Sequence, residues 1–462
     1  MLGLLATYLI VATGAVVAFR KPVYGLFVYV GLAILRPEAL WGWAGDLQNL
    51  SRIVGIPVLA GWAFQGFGSW QFGRAKAIVV SLLLYYVWLL LSTMQATVDQ
   101  AVSWNVVVEF SKTLLPFLVG MTLIKTEKEA RQFLWVIVIL QGYVCLDLNR
   151  MYVEQGYNRA FEEGFGGMDN NSLGISLLTT IGGAFALALS AKTYRAKAIA
   201  TGAMLLMLHT ILLTFSRGAF VGLLAVAVAA IVIMPKRPKY LGAIIVVALI
   251  AFRFTGPELS ERLATTFAPS EERDGSAEGR LDLWQDTLTL MAEEPILGVG
   301  PQNWPLVADR FGWKIGKEAH SVWMQTAAEL GVPGVMFLIL FYGFAVKRLW
   351  PIARARDNTD PQEKVFAVGL ILSIVGFVVS AQFVSLQGLE VPFYITMISA
   401  IVLKSRSLRE SAPAVPAGMP VRTSAAPVAV GGIRPIAVTN PRAIPAGRPG
   451  LRPLQSQSQQ KG

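Results

Sequence analysis

The sequence predicts an all-α polytopic membrane protein with about 12–13 transmembrane helices and one long extramembrane loop that holds short helices. Three observations predict it. Of 462 residues, 54% are hydrophobic and 15% are charged, where a soluble domain carries about 25% charged residues. Apolar runs close to the ~20 residues that cross a bilayer recur along most of the chain. Lys and Arg gather in alternate short loops between those runs, which is a topology signal.

Thirteen apolar segments account for the helices: Leu2–Phe19, Pro22–Leu35, Ile53–Trp70, Ala77–Leu91, Val106–Ile124, Phe133–Leu146, Leu173–Ser190, Ala198–Phe215, Ala219–Met234, Tyr240–Phe252, Val332–Ala345, Phe366–Val384 and Val391–Leu403. Several are shorter than a full span. With the N-terminus outside, the inside loops hold 21 Lys and Arg, while the short outside loops hold only Arg36, Arg52, Arg150, Arg159 and Arg217. A slip of one helix destroys that asymmetry. The loop from Arg253 to about Gly331 then lands outside, and long loops are exempt from the charge rule. No basic stretch precedes the first apolar run, so it reads as a first helix rather than a cleaved signal. Four regions follow: a bundle over 1–252, the long loop over 253–331, further helices over 332–410 and a tail over 411–462. The tail is Ala/Pro-rich with six basic residues and no acidic one. It has too little apolar surface to fold alone and is expected to be disordered on the cytoplasmic side, where its charge suits anionic lipid.

Composition excludes several function classes. The net charge of +11 follows the loops, so it marks topology and not nucleic acid. A single cysteine, Cys145, leaves no internal disulfide and no Cys-based zinc site. No His-x-His or Asp-x-Asp occurs, and Asp282 and Asp286 lack partners for a metal. No Walker sequence occurs, which argues against ATP hydrolysis. Trp41, Trp43, Trp70, Trp104 and Trp350 fall at predicted helix ends, where an amphipathic ring prefers the headgroup zone.

Three outside segments carry the unusual polar residues. The first, Asp147–Ser172, contains Arg159, a glycine-rich run and Asp169-Asn170-Asn171. Its glycines let backbone approach a partner, and Asn170 or Asn171 is expected to cap the next helix; Arg159 also reads as a solvated loop charge. The second is the tight turn Ser216-Arg217-Gly218. Snorkelling to headgroups competes there with binding of an anion. The third is the long loop. Leu281, Trp284, Leu288 and Met291 recur on one face of an amphipathic helix. Arg280 in its first turn opposes the helix dipole, which hints at an external anionic partner. Gly298-Val299-Gly300-Pro301 is turn chemistry, and a short helix is expected over His320–Leu330, ending at Gly331-Val332-Pro333-Gly334. His320 then sits at a helix N-terminus, where the dipole lowers its pKa. A packed, satisfied histidine is the competing reading, as it is for His209 inside an apolar run. Glu109 and Lys112, three apart in one predicted helix, read as an ion pair or as a substrate path.

Together these residues resemble the O-antigen ligase/polymerase superfamily of bacterial envelope glycan enzymes. The resemblance rests on Arg159 followed by glycines and Asn170-Asn171, on Ser216-Arg217-Gly218, on Gly279-Arg280…Trp284, on Pro295–Asn303, and on Ala319-His320-Ser321…Glu329-Leu330-Gly331-Val332-Pro333-Gly334. It is strongest from Arg217 to about Phe337. The family often has Asn after the His, where this chain has Ser321. The N-terminal third is more similar to a subgroup of O-glycosylation ligases found beside exopolysaccharide and exosortase systems. The resemblance implies a C-type glycosyltransferase-like fold in the bacterial inner membrane, with the long loop periplasmic. It implies transfer, without metal or cofactor, of a glycan from undecaprenyl diphosphate to a hydroxyl of lipid A-core, another glycan or a protein. His320 becomes the expected base, Arg217, Arg280 and Arg159 the diphosphate clamps, and Asn170, Asn171 and Glu329 supporting residues, Glu329 as a fallback base. A repeat-unit polymerase of the same superfamily, or a non-enzymatic transporter of lipid-linked glycan, remains an alternative. Transporters usually hold substrate charges near the midplane, whereas the unusual residues here map to one outside face.

Overall fold

The structure, a computed structural model, describes residues 2–41, 50–234, 278–355, 359–385 and 389–411. These lie in one unit, Met1–Ala412, and the tail forms a second unit outside the described residues. The expected segment Tyr240–Phe252 and the loop up to 277 also lie outside them.

The described residues are helical, without a named strand. Running along the chain are α1 (Leu2–Arg20), α2 (Pro22–Leu35), α3 (Pro37–Leu40), α4 (Leu50–Phe64), α5 (Lys76–Met94), α6 (Gln100–Leu123), α7 (Glu127–Gln155), α8 (Arg159–Glu162), α9 (Asn170–Ser190), α10 (Tyr194–Leu213) and α11 (Arg217–Ile233). After the gap come α12 (Glu278–Glu293), α13 (Trp304–Val307), α14 (Val322–Ala353), α15 (Pro361–Ser380) and α16 (Val391–Ser411). Among the described residues nine helices are long and apolar enough to cross a membrane, and three shorter apolar helices join them. The chain is therefore the all-α polytopic membrane protein that its hydropathy predicts.

Backbone contact sets the scaffold. A Cβ on Gly182 of α9 would lie 2.3 Å from the Gly369 carbonyl oxygen of α15, and the Gly183 N–H donates to Ser373 Oγ at 3.0 Å. Lipid supplies no hydrophobic drive between helices, so such small-residue faces let dispersion and hydrogen bonds hold them. At one end of the bundle basic side chains are paired, as Arg131 with Glu127 at 2.6 Å and Arg406 with Glu363 at 3.1 Å. Glu109 and Lys112 also pair with each other. His209 meets Asn149 through Nδ1, a packed role for this histidine.

At the other end α12 sits on a small separate core of Leu283, Leu290, Trp304, Ala308, Ala319 and Ala328. The expected apolar face is not the one packed on this core. Leu281 and Leu288 are exposed, and the buried row is Leu283, Thr287 and Leu290. Both rows have helical spacing, and the small residues opposite accept the second. The expected break after Leu330 is present inside α14. Gly331 has φ 64° and ψ −169°, a conformation essentially reserved for glycine. A Cβ there would lie 2.6 Å from the Pro295 carbonyl oxygen. The neighbouring N–H of Val332 donates to that carbonyl at 2.9 Å, and Val299 N–H donates to Ala328 O at 3.1 Å. The loop over 294–303 is thereby clasped to the helix break.

Candidate active site

His320 lies just before α14. Ser321 is the N-cap and accepts from the Met324 N–H at 3.3 Å. His320 itself has φ 50°, a left-handed conformation that a non-glycine side chain adopts only when its surroundings enforce it. Those surroundings are visible on both sides. Ala319 is fully buried, and its carbonyl accepts from Trp284 Nε1 at 3.0 Å. Trp313 Nε1 donates to Asp286 at 2.8 Å, fastening the same loop to α12 further along.

This clasp also places Arg280. Arg280 and Trp284 are four apart on α12 and share a face, so anchoring the indole at Ala319 brings the guanidinium toward His320. The charges of both Lys317 and Arg280 act on the imidazole. Arg280 is half-buried, and no carboxylate among the described residues pairs with it. Burial first, and then the nearby Arg217 charge, push its pKa down. Two guanidinium groups held near one another and partly out of water repel, which favours an anion between them.

Arg217 owes its place to a braced turn. It is the first residue of α11, whose N-cap Ser216 accepts from Ala219 N–H at 3.3 Å. The preceding Phe215 has φ 49°. Two amides from the 156–171 segment brace the end of α10. Asn158 Nδ2 donates to Leu213 O at 2.9 Å, and Asn170 Nδ2 donates to Thr214 O at 3.0 Å. Both carbonyls belong to a helix C-terminus that lacks intrahelical donors.

Asn170 is thus not the cap of α9. Asp169 is, through its carboxylate and the Ser172 N–H at 2.8 Å. Asn171 Nδ2 lies 3.4 Å from Asp169 Oδ2 and 3.2 Å from Asn170 Oδ1. Asp169 is the residue that sequence reasoning left without a role, and its charge reaches both His320 and Glu318. Burial, then Lys317 and Arg280, lower the pKa of His320, and Asp169 opposes them. The lowering therefore comes from burial and neighbouring cations, where the sequence suggested the helix dipole. Burial and Asp169 raise the carboxyl of Glu318. The ring of His320 makes no hydrogen bond among the described residues.

Arg159 and Glu329 have partners outside this cluster. Arg159 contacts Glu163 at 3.0 Å and donates through Nη2 to the Ala39 carbonyl at 3.0 Å. Together with Arg36, which donates to Gly166 O, it ties the 156–169 segment to the end of α2 and α3. Glu329 is buried and accepts from Gln325 Nε2 at 2.9 Å and from the backbone N–H groups of Gln302 and Trp304. Asn303, fully buried, accepts from Asp99 N–H at 2.8 Å and donates to Ser103 Oγ at 2.8 Å, joining the loop to α6.

His320, Arg280 and Arg217 thus form a basic cluster at helix N-termini, a setting made for an anion. Residues 202–339 match the profile of a family described as O-antigen ligase. Over that stretch the chain is similar to the O-antigen ligase domain. The match supports the O-antigen ligase/polymerase superfamily, whose members are glycosyltransferase-like ligases or polymerases acting on lipid-linked glycans and glycan acceptors. The domain spans Arg217, Arg280, His320 and Glu329, while Arg159, Asn170 and Asn171 precede it. No curated protein matches the chain. Among the described residues no cluster of His, Cys, Asp or Glu could hold a metal ion.

Proposed function

We propose that the protein is a metal-independent glycan ligase of the bacterial inner membrane, working at the periplasmic face on a glycan carried by undecaprenyl diphosphate. The observation that carries this is the pairing of a half-buried His320, whose ring makes no hydrogen bond among the described residues, and two like-charged arginines held nearby. The diphosphate lies against Arg217 and Arg280, whose planar donors match its oxygens. An acceptor hydroxyl attacks the anomeric carbon of the glycan and passes its proton to His320. The bond from that carbon to the diphosphate oxygen breaks, and its electron pair leaves with the lipid diphosphate, where the arginines stabilise the charge. Diphosphate is a stable anion, so no strong acid is required. Asp169 favours the imidazolium that forms. The acceptor is lipid A-core, a protein or another glycan.

Complementation of a deletion strain tests this. His320→Ala and Arg217→Ala should insert normally, lose on the order of 10²–10⁴ in transfer rate, the scale of losing a general base in the first and a charge-stabilising donor in the second, and accumulate full-length glycan on the lipid carrier. Accumulation of single repeat units would make the protein a polymerase. Full restoration of surface glycan by both variants would sink the proposed site and favour a transporter.

A further inference from the structure

A second polar feature lies one step along the chain from His320. A cavity of about 400 Å³ opens among α5, α6, α14 and the 301–302 turn, room for roughly a dozen waters at ~30 Å³ each. Neither His320 nor Arg217 or Arg280 lines it, but Val322, two residues after His320, does.

The lining has an unusual balance. Gln302, Gln325 and Ser385 all line the cavity, and each holds a buried polar atom with no hydrogen-bond partner among the described residues: two amide oxygens and one hydroxyl. Gln325 is 5% exposed, and its Nε2 is committed to Glu329, so the amide oxygen is left as the free acceptor. Buried polar atoms in native proteins are nearly always satisfied, and those that are not call for an explanation. The acidic residues on the wall are Glu109, which is paired with Lys112, and the buried Glu329, and no Lys or Arg lines it. Aromatic rings of Tyr85, Phe110, Tyr342 and Phe393 supply much of the remainder.

This wall discriminates among ligand classes. A phosphate would find no Lys or Arg on this wall, and brings few donors for the amide oxygens. A hydrocarbon chain would leave those oxygens unpaired. An uncharged sugar brings hydroxyl donors for the acceptors and apolar C–H faces for the rings, and such a mix of aromatic walls with a few placed polar groups is the usual make-up of a ligand pocket. We propose that this cavity is a subsite for a neutral sugar ring, held beside the transfer centre while the charged part of the donor stays at the arginines. Its role in transfer rests on the ligase function proposed above; the binding itself does not. The strained φ of 59° at Gln302 fits the same purpose, since it lets one residue give its N–H to Glu329 and its side chain to the cavity wall.

The test uses the full chain in lipid nanodiscs and three probes with one tail: octyl glucoside below its micelle concentration, octyl phosphate and octanol. The glucoside should bind saturably, followed by tryptophan fluorescence or thermal midpoint, and the other two should not. Gln325→Leu and Gln302→Leu should each weaken it roughly five- to tenfold, the scale of one lost hydrogen bond. Ser385→Ala, which removes only a hydroxyl, gives a milder variant if these fold poorly. Equal binding of octyl phosphate, or unchanged affinity in all three variants, overturns the inference. In transfer assays, a Gln325→Leu enzyme with raised acceptor KM identifies the sugar as the acceptor's, and raised donor KM as the donor's. A change in neither overturns the subsite. His320→Ala should keep glucoside binding and lose transfer. Retained transfer in that variant would defeat the ligase function while leaving the subsite standing.

Discussion

At the residue scale the site turns on how the charges around His320 set its protonation. A base must be neutral to accept a proton, and an ordinary imidazole has a pKa near 6.5. Burial, Lys317 and Arg280 hold His320 below that, while Asp169 pulls it upward. The acid limb of a pH–rate profile should therefore lie below the usual histidine range, with activity lost as pH falls through it. Lys317→Ala removes a cation that disfavours the imidazolium, so it should move that limb to higher pH. Asp169→Asn removes the opposing carboxylate and should move it lower. Rates of glycan transfer by the reconstituted protein across pH read both shifts, and limbs that move the other way, or not at all, would exclude His320 as the titrating base. His320, Arg217 and Arg280 stood out in the sequence because rare or charged residues interrupt apolar patterning. Asp169 did not, because a carboxylate beside two asparagines looks like any cap. Its effect on His320 is a charge interaction across 151 positions that only the fold supplies. The same holds for Asn170, whose amide serves a carbonyl 44 residues away.

Among the elements, α14 shows most directly how local sequence shapes the site end. Gly331 interrupts it so that residues 322–330 can turn across the 294–303 loop before the helix continues. Two glycines of this one helix give a controlled comparison. Gly331→Ala puts a Cβ 2.5 Å from Ile296 O in a backbone conformation that only glycine accepts, whereas Gly343 has nothing within 4 Å of its Cβ position. Gly331→Ala should destabilise by about 1–3 kcal/mol, and Gly343→Ala should be neutral or stabilise by up to about 1 kcal/mol, since alanine is the better helix former. Thermal melts of the solubilised protein, paired with transfer assays, check both. Equal melting of the two variants would remove the strained break from the account. The break was legible in Gly331-Val332-Pro333-Gly334. The buried face of α12 was not, because Leu281/Leu288 and Leu283/Leu290 both keep helical spacing, and the choice between them is made by Trp304, Ala308 and Ala319 in the small core opposite.

For the molecule as a whole, hydropathy foretold the helices because a bilayer forces every backbone polar group into internal hydrogen bonds, and the charge bias of the loops assigned the two ends to opposite sides. Ion pairs occur at both ends, as Arg131–Glu127 at one and Arg159–Glu163 at the other, and Arg280 at the second end has no carboxylate partner among the described residues. A ligase working on a periplasmic donor needs the second end outside, and that is measurable. Cys145 is buried and is the sole cysteine, so Cys145→Ser gives a background for single-cysteine labelling. Ile315, 69% exposed in the loop before His320, and Tyr194, 87% exposed at the start of α10, report on opposite ends. In spheroplasts a membrane-impermeant maleimide should label Ile315→Cys at once and Tyr194→Cys only after permeabilisation. The reverse pattern would put the arginine cluster in the cytoplasm, where glycans already flipped across the membrane could not reach it, and the periplasmic ligase would have to be abandoned even if His320 proved essential.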